Sequence, residues 1–316
     1  MTGRFRRWTR VRLLPVLLVA TVCVPACSEK REGGGSPASP SPTPPASPTP
    51  QPPAGPSGAI RVNHTSISLA AIPDQWIDQA RSTLHVAYGH TSHGSQIVTG
   101  MSGLVMFRGS RYAFNDGGTG GALDLKDTPI SGASDLGNPN FTAWATATRT
   151  YLQHQPGVNV VIWSWCGQVS GATAGDIGTY LSLMTGLESE FPAVRFVYMT
   201  GHLDGTGLTG NLHLRNQQIR EYCELNGKIL YDFADIETYD PDGVYFGDKI
   251  PNDACDYDGN GDGRRDANWA AEWQASHGKG IDWFDCAAAH TQPLNANLKA
   301  YAAWHLWARL AGWAGA

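Results

Sequence analysis

A serine stands in a glycine-flanked turn that follows an apolar, strand-like segment. The turn reads Gly89-His90-Thr91-Ser92-His93-Gly94, and a helical pattern begins near Gln96. A serine held between a strand and a helix start is exposed and lies near the positive end of the helix dipole, which favours a nucleophile. We therefore interpret Ser92 as a candidate catalytic nucleophile. Ser95, at the expected helix start, is the competing candidate.

A histidine stands just before the last helical pattern of the chain. His290 closes the segment 282–290, which contains Asp282 and Asp285 and leads into an amphipathic run over 294–310. A serine nucleophile needs an imidazole to take its proton and an acid to orient that imidazole. We expect His290 to be the base and Asp285 to be the acid, with Asp282 as the alternative acid.

Two further loops carry polar groups. The second predicted strand ends in Cys166-Gly167-Gln168, which offers a backbone N–H from Gly167 and an amide side chain from Gln168. Groups of this kind can donate to a developing oxyanion. The third predicted strand ends in the segment 200–205, which contains His202 and Asp204.

The elements that would position these loops alternate along the chain. Apolar runs rich in Val and Ile predict strands over 84–88, 158–165, 194–200 and 228–233, and helical patterns lie near 141–154, 173–190, 211–226 and 294–310. Alternation of this kind indicates βαβ units and a mainly parallel sheet. The predicted fold class is α/β, a three-layer α/β/α sandwich over residues 59–316. Ligands of such sheets bind outside the carboxyl ends of the strands, where the candidate loops fall.

This order of loops resembles the SGNH (GDSL-like) hydrolase superfamily over residues 80–313. The Gly-Asp-Ser block of the superfamily corresponds to His90-Thr91-Ser92, its Gly-x-Asn block to Cys166-Gly167-Gln168, and the glycine of its second block to Gly137. Its last block has Asp three residues before His, a position held here by Ala287. The resemblance implies a serine esterase that removes acyl groups from carbohydrates or other small esters. Gly137 would then be a third oxyanion donor.

An acidic, glycine-rich segment predicts a calcium site. Alternating oxygen ligands separated by glycines are typical of loops that wrap a hard cation, as in EF-hand-like and dockerin-like loops. The predicted ligands of a structural Ca²⁺ are Asp256, Asp258, Asn260, Asp262 and Asp266.

The N-terminus has the layout of a lipoprotein signal. Five arginines precede an apolar run over 13–24 that is too short to span a bilayer, and Val24-Pro25-Ala26-Cys27 resembles a lipobox. We expect cleavage before Cys27 and lipidation of its thiol, with Cys23 as the next candidate. Residues 33–58, made almost wholly of Gly, Ser, Pro, Thr and Ala, would form a disordered tether. The expected location is the cell envelope, on the outer or the cytoplasmic membrane and facing away from the cytoplasm.

The net charge of the chain limits the classes of molecule it is expected to bind. Losing residues 1–26, which hold five arginines and no acid, takes the net charge from −5 to −10. An acidic domain without a basic run argues against nucleic acid as a partner.

Four cysteines in an exported domain predict two disulfides. We favour Cys255 with Cys286, which leaves Cys166 and Cys223 either paired or as thiols.

A non-catalytic surface protein is the alternative to an esterase. In a glycan-binding module, aromatic rings would stack on sugars. The tryptophans considered for this role are Trp163, Trp165, Trp269, Trp273 and Trp283. A structural surface lipoprotein is a third hypothesis.

Overall fold

A seven-stranded parallel sheet forms the centre of the domain. The computed structural model describes residues 58–315. The strand order is β1-β7-β6-β5-β2-β4-β3, and every neighbouring pair is parallel. The strands are β1 (Ile60–Val62), β2 (His85–Gly89), β3 (Phe114–Asn115), β4 (Leu123–Asp127), β5 (Val160–Trp163), β6 (Arg195–Met199) and β7 (Ile229–Tyr231).

Helices cover both faces of this sheet. The helices are α1 (Asp74–Thr83), α2 (Ser95–Arg108), α3 (Ala143–His154), α4 (Ala174–Glu190), α5 (Asn211–Leu225), α6 (Phe233–Ile236), α7 (Trp269–Ser276) and α8 (Pro293–Leu310). Helices α1, α2 and α8 pack together on one face, and α3, α4 and α5 pack together on the other. The predicted three-layer α/β/α sandwich is therefore confirmed.

The four predicted strands are β2, β5, β6 and β7. All four residues of β5 are buried, as expected of a strand whose two faces are both covered by helices. Strands β1 and β4 were not predicted. Strand β1 has only three residues, and β4 reads Leu-Asp-Leu-Lys-Asp, so neither contains the continuous apolar run that identifies a central strand.

The strand order reverses between β2 and β5. From β2 the chain continues to β3 and β4 on one side of the sheet, whereas from β5 it continues to β6 and β7 on the other side. In open α/β sheets this reversal opens a crevice beyond the carboxyl ends of the two strands, and ligands bind there. The loops that begin at His90 and Ser164 border this crevice.

Helices α2 and α8 approach each other unusually closely. A Cβ atom at Gly100 would lie 2.1 Å from the carbonyl oxygen of Ala296. Only glycine allows this spacing, so α2, which follows the serine turn, is fixed against the last helix.

The predicted disulfide between Cys255 and Cys286 is wrong, and Cys166 and Cys223 fit the alternative in which both are thiols. All four cysteines of the described residues are free thiols. Cys255 Sγ lies 3.3 Å from the Thr291 hydroxyl, and Cys286 Sγ lies near the Pro293 carbonyl and the Asn297 amide. The expected partners thus contact different groups rather than each other.

No helix within residues 58–315 is long and apolar enough to cross a bilayer. The signal segment, Cys27 and residues 33–57 of the predicted tether lie outside the described residues.

Candidate active site

The turn after β2 is fixed tightly against the end of β5. The Tyr88 hydroxyl donates to the Gly94 carbonyl at 2.8 Å. A Cβ atom at Gly94 would lie 2.2 Å from Ser164 Oγ. No other residue fits at Gly94, so only glycine lets the turn approach the end of β5 this closely. The approach brings His93, the residue before Gly94, to the loop that follows β5.

His93 joins a thiol to a carboxylate. Its Nδ1 lies 3.3 Å from Cys166 Sγ, and its Nε2 lies 2.9 Å from Asp253 Oδ2. The His93 ring is buried, whereas Cys166 is half-buried. A nucleophile, an imidazole and an orienting acid connected in this order form a catalytic triad.

Asp253 reaches the cluster from the long segment between α6 and α7. Asn252 forms an antiparallel bridge with Asp204, and Gly205 N–H donates to the Pro251 carbonyl at 3.1 Å. These two contacts tie the Asp253 segment to the loop that follows β6. The acid therefore comes from a position far along the chain from both other members of the triad.

The surroundings shift the pKa values of the thiol and the imidazole towards each other. Burial alone would raise the pKa of the Cys166 thiol, but hydrogen bonds from His93, Ser92 and Thr91 outweigh it and lower that pKa. For His93, burial would lower the pKa, but hydrogen bonds to Asp253 and Cys166 outweigh it, and the pKa is raised. Asp253 is stabilised as a carboxylate, since its hydrogen bond to His93 overcomes burial and lowers its pKa.

Two more imidazoles sandwich the His93 ring. His202 stacks on one face at 3.6 Å between ring centroids with an angle of 4°, and His290 stacks at 4.5 Å and 17°. Burial lowers the pKa of His202, and its Nδ1 donates to the Leu203 carbonyl at 2.8 Å. Its Nε2 is therefore a buried acceptor without a partner among the described residues.

Two of the predicted oxyanion donors already donate hydrogen bonds to a buried carboxylate. Asp135 Oδ1 accepts the Gly137 N–H at 2.9 Å and the Gln168 side-chain amide at 3.0 Å. The side-chain oxygen of Gln168 accepts the Cys166 N–H at 2.9 Å. These groups shape the loop under Cys166. Gly167 is exposed and directly follows the thiol, so its N–H is the predicted donor best placed for an oxyanion there.

Neither hydrogen bond of the predicted serine triad, Ser92 to His290 or His290 to Asp285, is present among the described residues. The Ser92 hydroxyl lies 3.7 Å from Cys166 Sγ, and among the described residues this thiol is its only hydrogen-bond partner. His290 is exposed and stacks on His93. Asp285 is exposed and its carboxylate pairs with Lys279 at 2.7 Å, so it does not bond to His290. The alternative acid, Asp282, accepts the Gly278 N–H.

The same cluster contains ligands that suit a transition metal. One ligating atom each of His93, Asp253 and His290 lies within 4.8 Å of the other two. Two imidazole nitrogens and one carboxylate oxygen are a common ligand set for zinc. A cation bound there would replace the hydrogen bond between His93 and Asp253.

The predicted calcium loop lies between two short strands, β8 (Asp256–Tyr257) and β9 (Ala267–Asn268). Asp258 accepts backbone N–H groups of Gly261, Asp262 and Gly263, and Asn260 donates to Asp266 at 2.6 Å. Asp262 accepts the Arg264 N–H. Asp256 lies apart from these four, since its carboxylate accepts the amides of Asn252 and Asn268 at the base of the hairpin.

Three of the candidate sugar-stacking tryptophans belong to the core. Trp163, Trp165 and Trp269 are each at most 2% exposed. Of the other two, Trp273 stacks on His277 and Lys279 lies over Trp283. The five rings therefore do not form one exposed platform.

Sequence reasoning missed the roles of His93, Cys166 and Asp253. The two histidines in the turn after β2 were visible, but the cysteines were assigned to disulfides because the chain looks exported. Asp253 had no recognisable signal, since it precedes the acidic loop and is brought to the site by the pairing of Asn252 with Asp204.

Comparison of the chain with protein-family models, with curated proteins and with solved structures gives no match.

Proposed function

We propose that this protein is a thiol-dependent hydrolase that cleaves acyl groups from small or glycan esters through a covalent thioester. The proposal is carried by the two contacts of His93, which reaches Cys166 through Nδ1 and Asp253 through Nε2. The lowered pKa of Cys166 and the raised pKa of His93 support the same assignment.

Each group has a defined role in this chemistry. The Cys166 thiolate attacks the acyl carbonyl carbon, and the carbonyl oxygen becomes an oxyanion to which Gly167 N–H donates. The His93 imidazolium then gives its proton to the leaving alkoxide, and an acyl thioester remains on Cys166. The now neutral His93 takes a proton from water, and the resulting hydroxide attacks the thioester. The carboxylic acid leaves, and the thiolate–imidazolium pair is restored. Asp253 keeps the imidazole oriented throughout.

His202 supplies an acceptor near the same point. Its unpartnered Nε2 lies 3.9 Å from the position of a Cβ atom on Gly167. A buried acceptor gains from a bound donor, because leaving it unpaired is costly. A hydroxyl of an ester substrate, such as a sugar hydroxyl, would satisfy it once the side chains that cover this atom move aside.

A serine esterase of the SGNH type remains the second candidate. It is favoured by the position of Ser92 in the turn beyond β2, at the crevice between β2 and β5. Two probes separate the candidates. A thiol-directed iodoacetamide should label Cys166 rapidly, and a serine-directed fluorophosphonate should label Ser92 only if the serine is the nucleophile. A surface protein without catalysis should react rapidly with neither.

We also propose a structural calcium ion in the loop between β8 and β9, supported by the spacing of its oxygen ligands. The loop belongs to the segment that carries Asp253, so calcium should stabilise the domain. We expect added Ca²⁺ to stabilise the domain by RT ln(1 + [L]/Kd) and so raise its melting temperature, and a chelator to lower it.

The matched variant for the calcium prediction is Asp258→Ala, which should reduce the response to Ca²⁺ because a hard-cation site loses one carboxylate. Differential scanning calorimetry measures both effects. Identical transitions with Ca²⁺ and with chelator would refute the calcium site. If chelation abolished ester cleavage in folded protein, a metal centre at His93, Asp253 and His290 would replace the thiol proposal.

We propose a lipid anchor at Cys27, supported by the lipobox-like sequence before it. Cys27→Ser should give an unprocessed precursor that no longer partitions into detergent, because the diacylglycerol is attached through the thiol. Labelling with radioactive palmitate measures this. If Cys27→Ser is still labelled, Cys27 is not the lipidated residue, and Cys23→Ser is the next variant to examine.

A further inference from the structure

A lysine and a glutamate without exposed surface lie behind the catalytic cluster. Lys299 on α8 and Glu237 at the end of α6 are each 0% exposed, and Lys299 Nζ lies 2.5 Å from Glu237 Oε1. Taking both ions out of water is costly, and apolar residues of similar volume often give equal or greater stability. Stability alone therefore does not account for this pair.

The glutamate is bonded to the loop that carries His202. Glu237 Oε2 accepts the N–H of Leu203 at 2.9 Å. Leu203 directly follows His202, and its carbonyl accepts the His202 Nδ1–H. The glutamate thus fixes the backbone on which the His202 ring depends for its orientation.

The lysine is connected to the loop that carries His290. Lys299 Nζ donates to Gln96 Oε1, and Gln96 Nε2 donates to the Ala289 carbonyl at 2.5 Å. Gln96 is 0% exposed. Because Ala289 directly precedes His290, the lysine acts through Gln96 on the second imidazole.

These two imidazoles are the ones that stack on His93. The His93 ring must keep one nitrogen towards Cys166 and the other towards Asp253, so rotation or tilt of the ring breaks the triad. We propose that the buried Lys299–Glu237 pair positions His93 by holding the His202 and His290 loops against the two faces of its ring. The inference rests on the proposed role of His93 as the base.

Two double variants test the positioning role without leaving a charge buried alone. Lys299→Met with Glu237→Gln removes both charges but keeps an oxygen acceptor for the Leu203 N–H. Lys299→Met with Glu237→Met removes both charges and that acceptor. The readouts are the melting temperature, kcat and KM for p-nitrophenyl acetate, and the rate at which iodoacetamide alkylates Cys166.

We expect both double variants to fold. Relative to the Gln-containing variant, the Met-containing variant should lose about 10- to 100-fold in kcat, the usual effect of misplacing a catalytic group by about 1 Å. Alkylation of Cys166 should slow as well, while KM changes little. Wild-type kcat and wild-type alkylation in both folded variants would show that the pair only fills the core.

A single variant covers the case in which the double variants do not fold. Gln96→Leu removes the link to Ala289 and leaves the Lys299–Glu237 pair intact, and it should also lower kcat and slow alkylation. Folded Gln96→Leu protein with wild-type kcat would overturn the proposal. The wild type distinguishes failure of the positioning proposal from failure of the proposed function. If the wild type shows neither ester cleavage nor rapid alkylation, the thiol chemistry itself is refuted.

Discussion

Cys166→Ala is expected to remove nearly all ester cleavage. The thiolate is the proposed attacking group, and loss of a covalent nucleophile commonly lowers kcat by about 10⁴-fold or more. Ser92→Ala should cost no more than about 100-fold, the scale of one lost hydrogen bond to a charged group such as the thiolate. The measurement is kcat for p-nitrophenyl acetate.

Cys286→Ala is the matched control for the loss of a thiol. Cys286 is half-buried like Cys166, but its hydrogen-bond partners among the described residues are the Pro293 carbonyl and the Asn297 amide, so its removal should leave kcat near that of the wild type. The opposite pattern, in which Ser92→Ala is inactive and Cys166→Ala keeps full activity, would establish the serine esterase and refute the thiol mechanism.

The second large effect is the pH dependence of ester cleavage, which we expect to follow the titration of His93 and Cys166. The Cys166 pKa lies below its ordinary value of 9.0, so the thiolate and the activity should already form below that pH. The His93 pKa lies above its ordinary value of 6.5, and activity should fall again when the imidazolium loses its proton. The resulting bell-shaped curve reports the titration of the pair rather than of either residue alone.

Substitution of His93 should remove this pattern. In His93→Ala, burial remains and the main hydrogen bond that lowers the Cys166 pKa is lost, so alkylation by iodoacetamide should rise only at a higher pH. Loss of general acid–base catalysis should lower kcat by about 10²- to 10⁴-fold. Asp253→Asn keeps the shape and removes the charge, so its loss should be smaller. An unchanged alkylation profile in His93→Ala would show that the imidazole does not activate the thiol.

The location of the site followed from the sequence more readily than its chemistry. The apolar runs that form β2, β5 and β6 were recognisable, and parallel strands bring the loops at their carboxyl ends to one edge. Ser92, Gln168 and His202 were therefore expected at the same edge, and the structure places them there. Local pattern and sheet topology suffice for that inference.

The residues of the proposed triad meet through tertiary contacts that local pattern does not encode. Asp253 enters through an isolated bridge between Asn252 and Asp204, in a segment without a strand pattern. The orientation of His93 depends on Gly94, which has no side chain to separate the turn from Ser164. Asp285 was the expected acid because it lies upstream of His290 in the same segment, but its exposed carboxylate pairs with Lys279 instead.

The chemical class of the nucleophile is the central claim, and one experiment identifies it directly. Protein mixed with p-nitrophenyl acetate, quenched in acid during turnover and digested, can be analysed by peptide mass spectrometry for the acetylated residue. We predict an acetyl group on Cys166, present in the wild type and absent in Cys166→Ala. An acetyl group on Ser92, or turnover without any acylated peptide, would contradict the account.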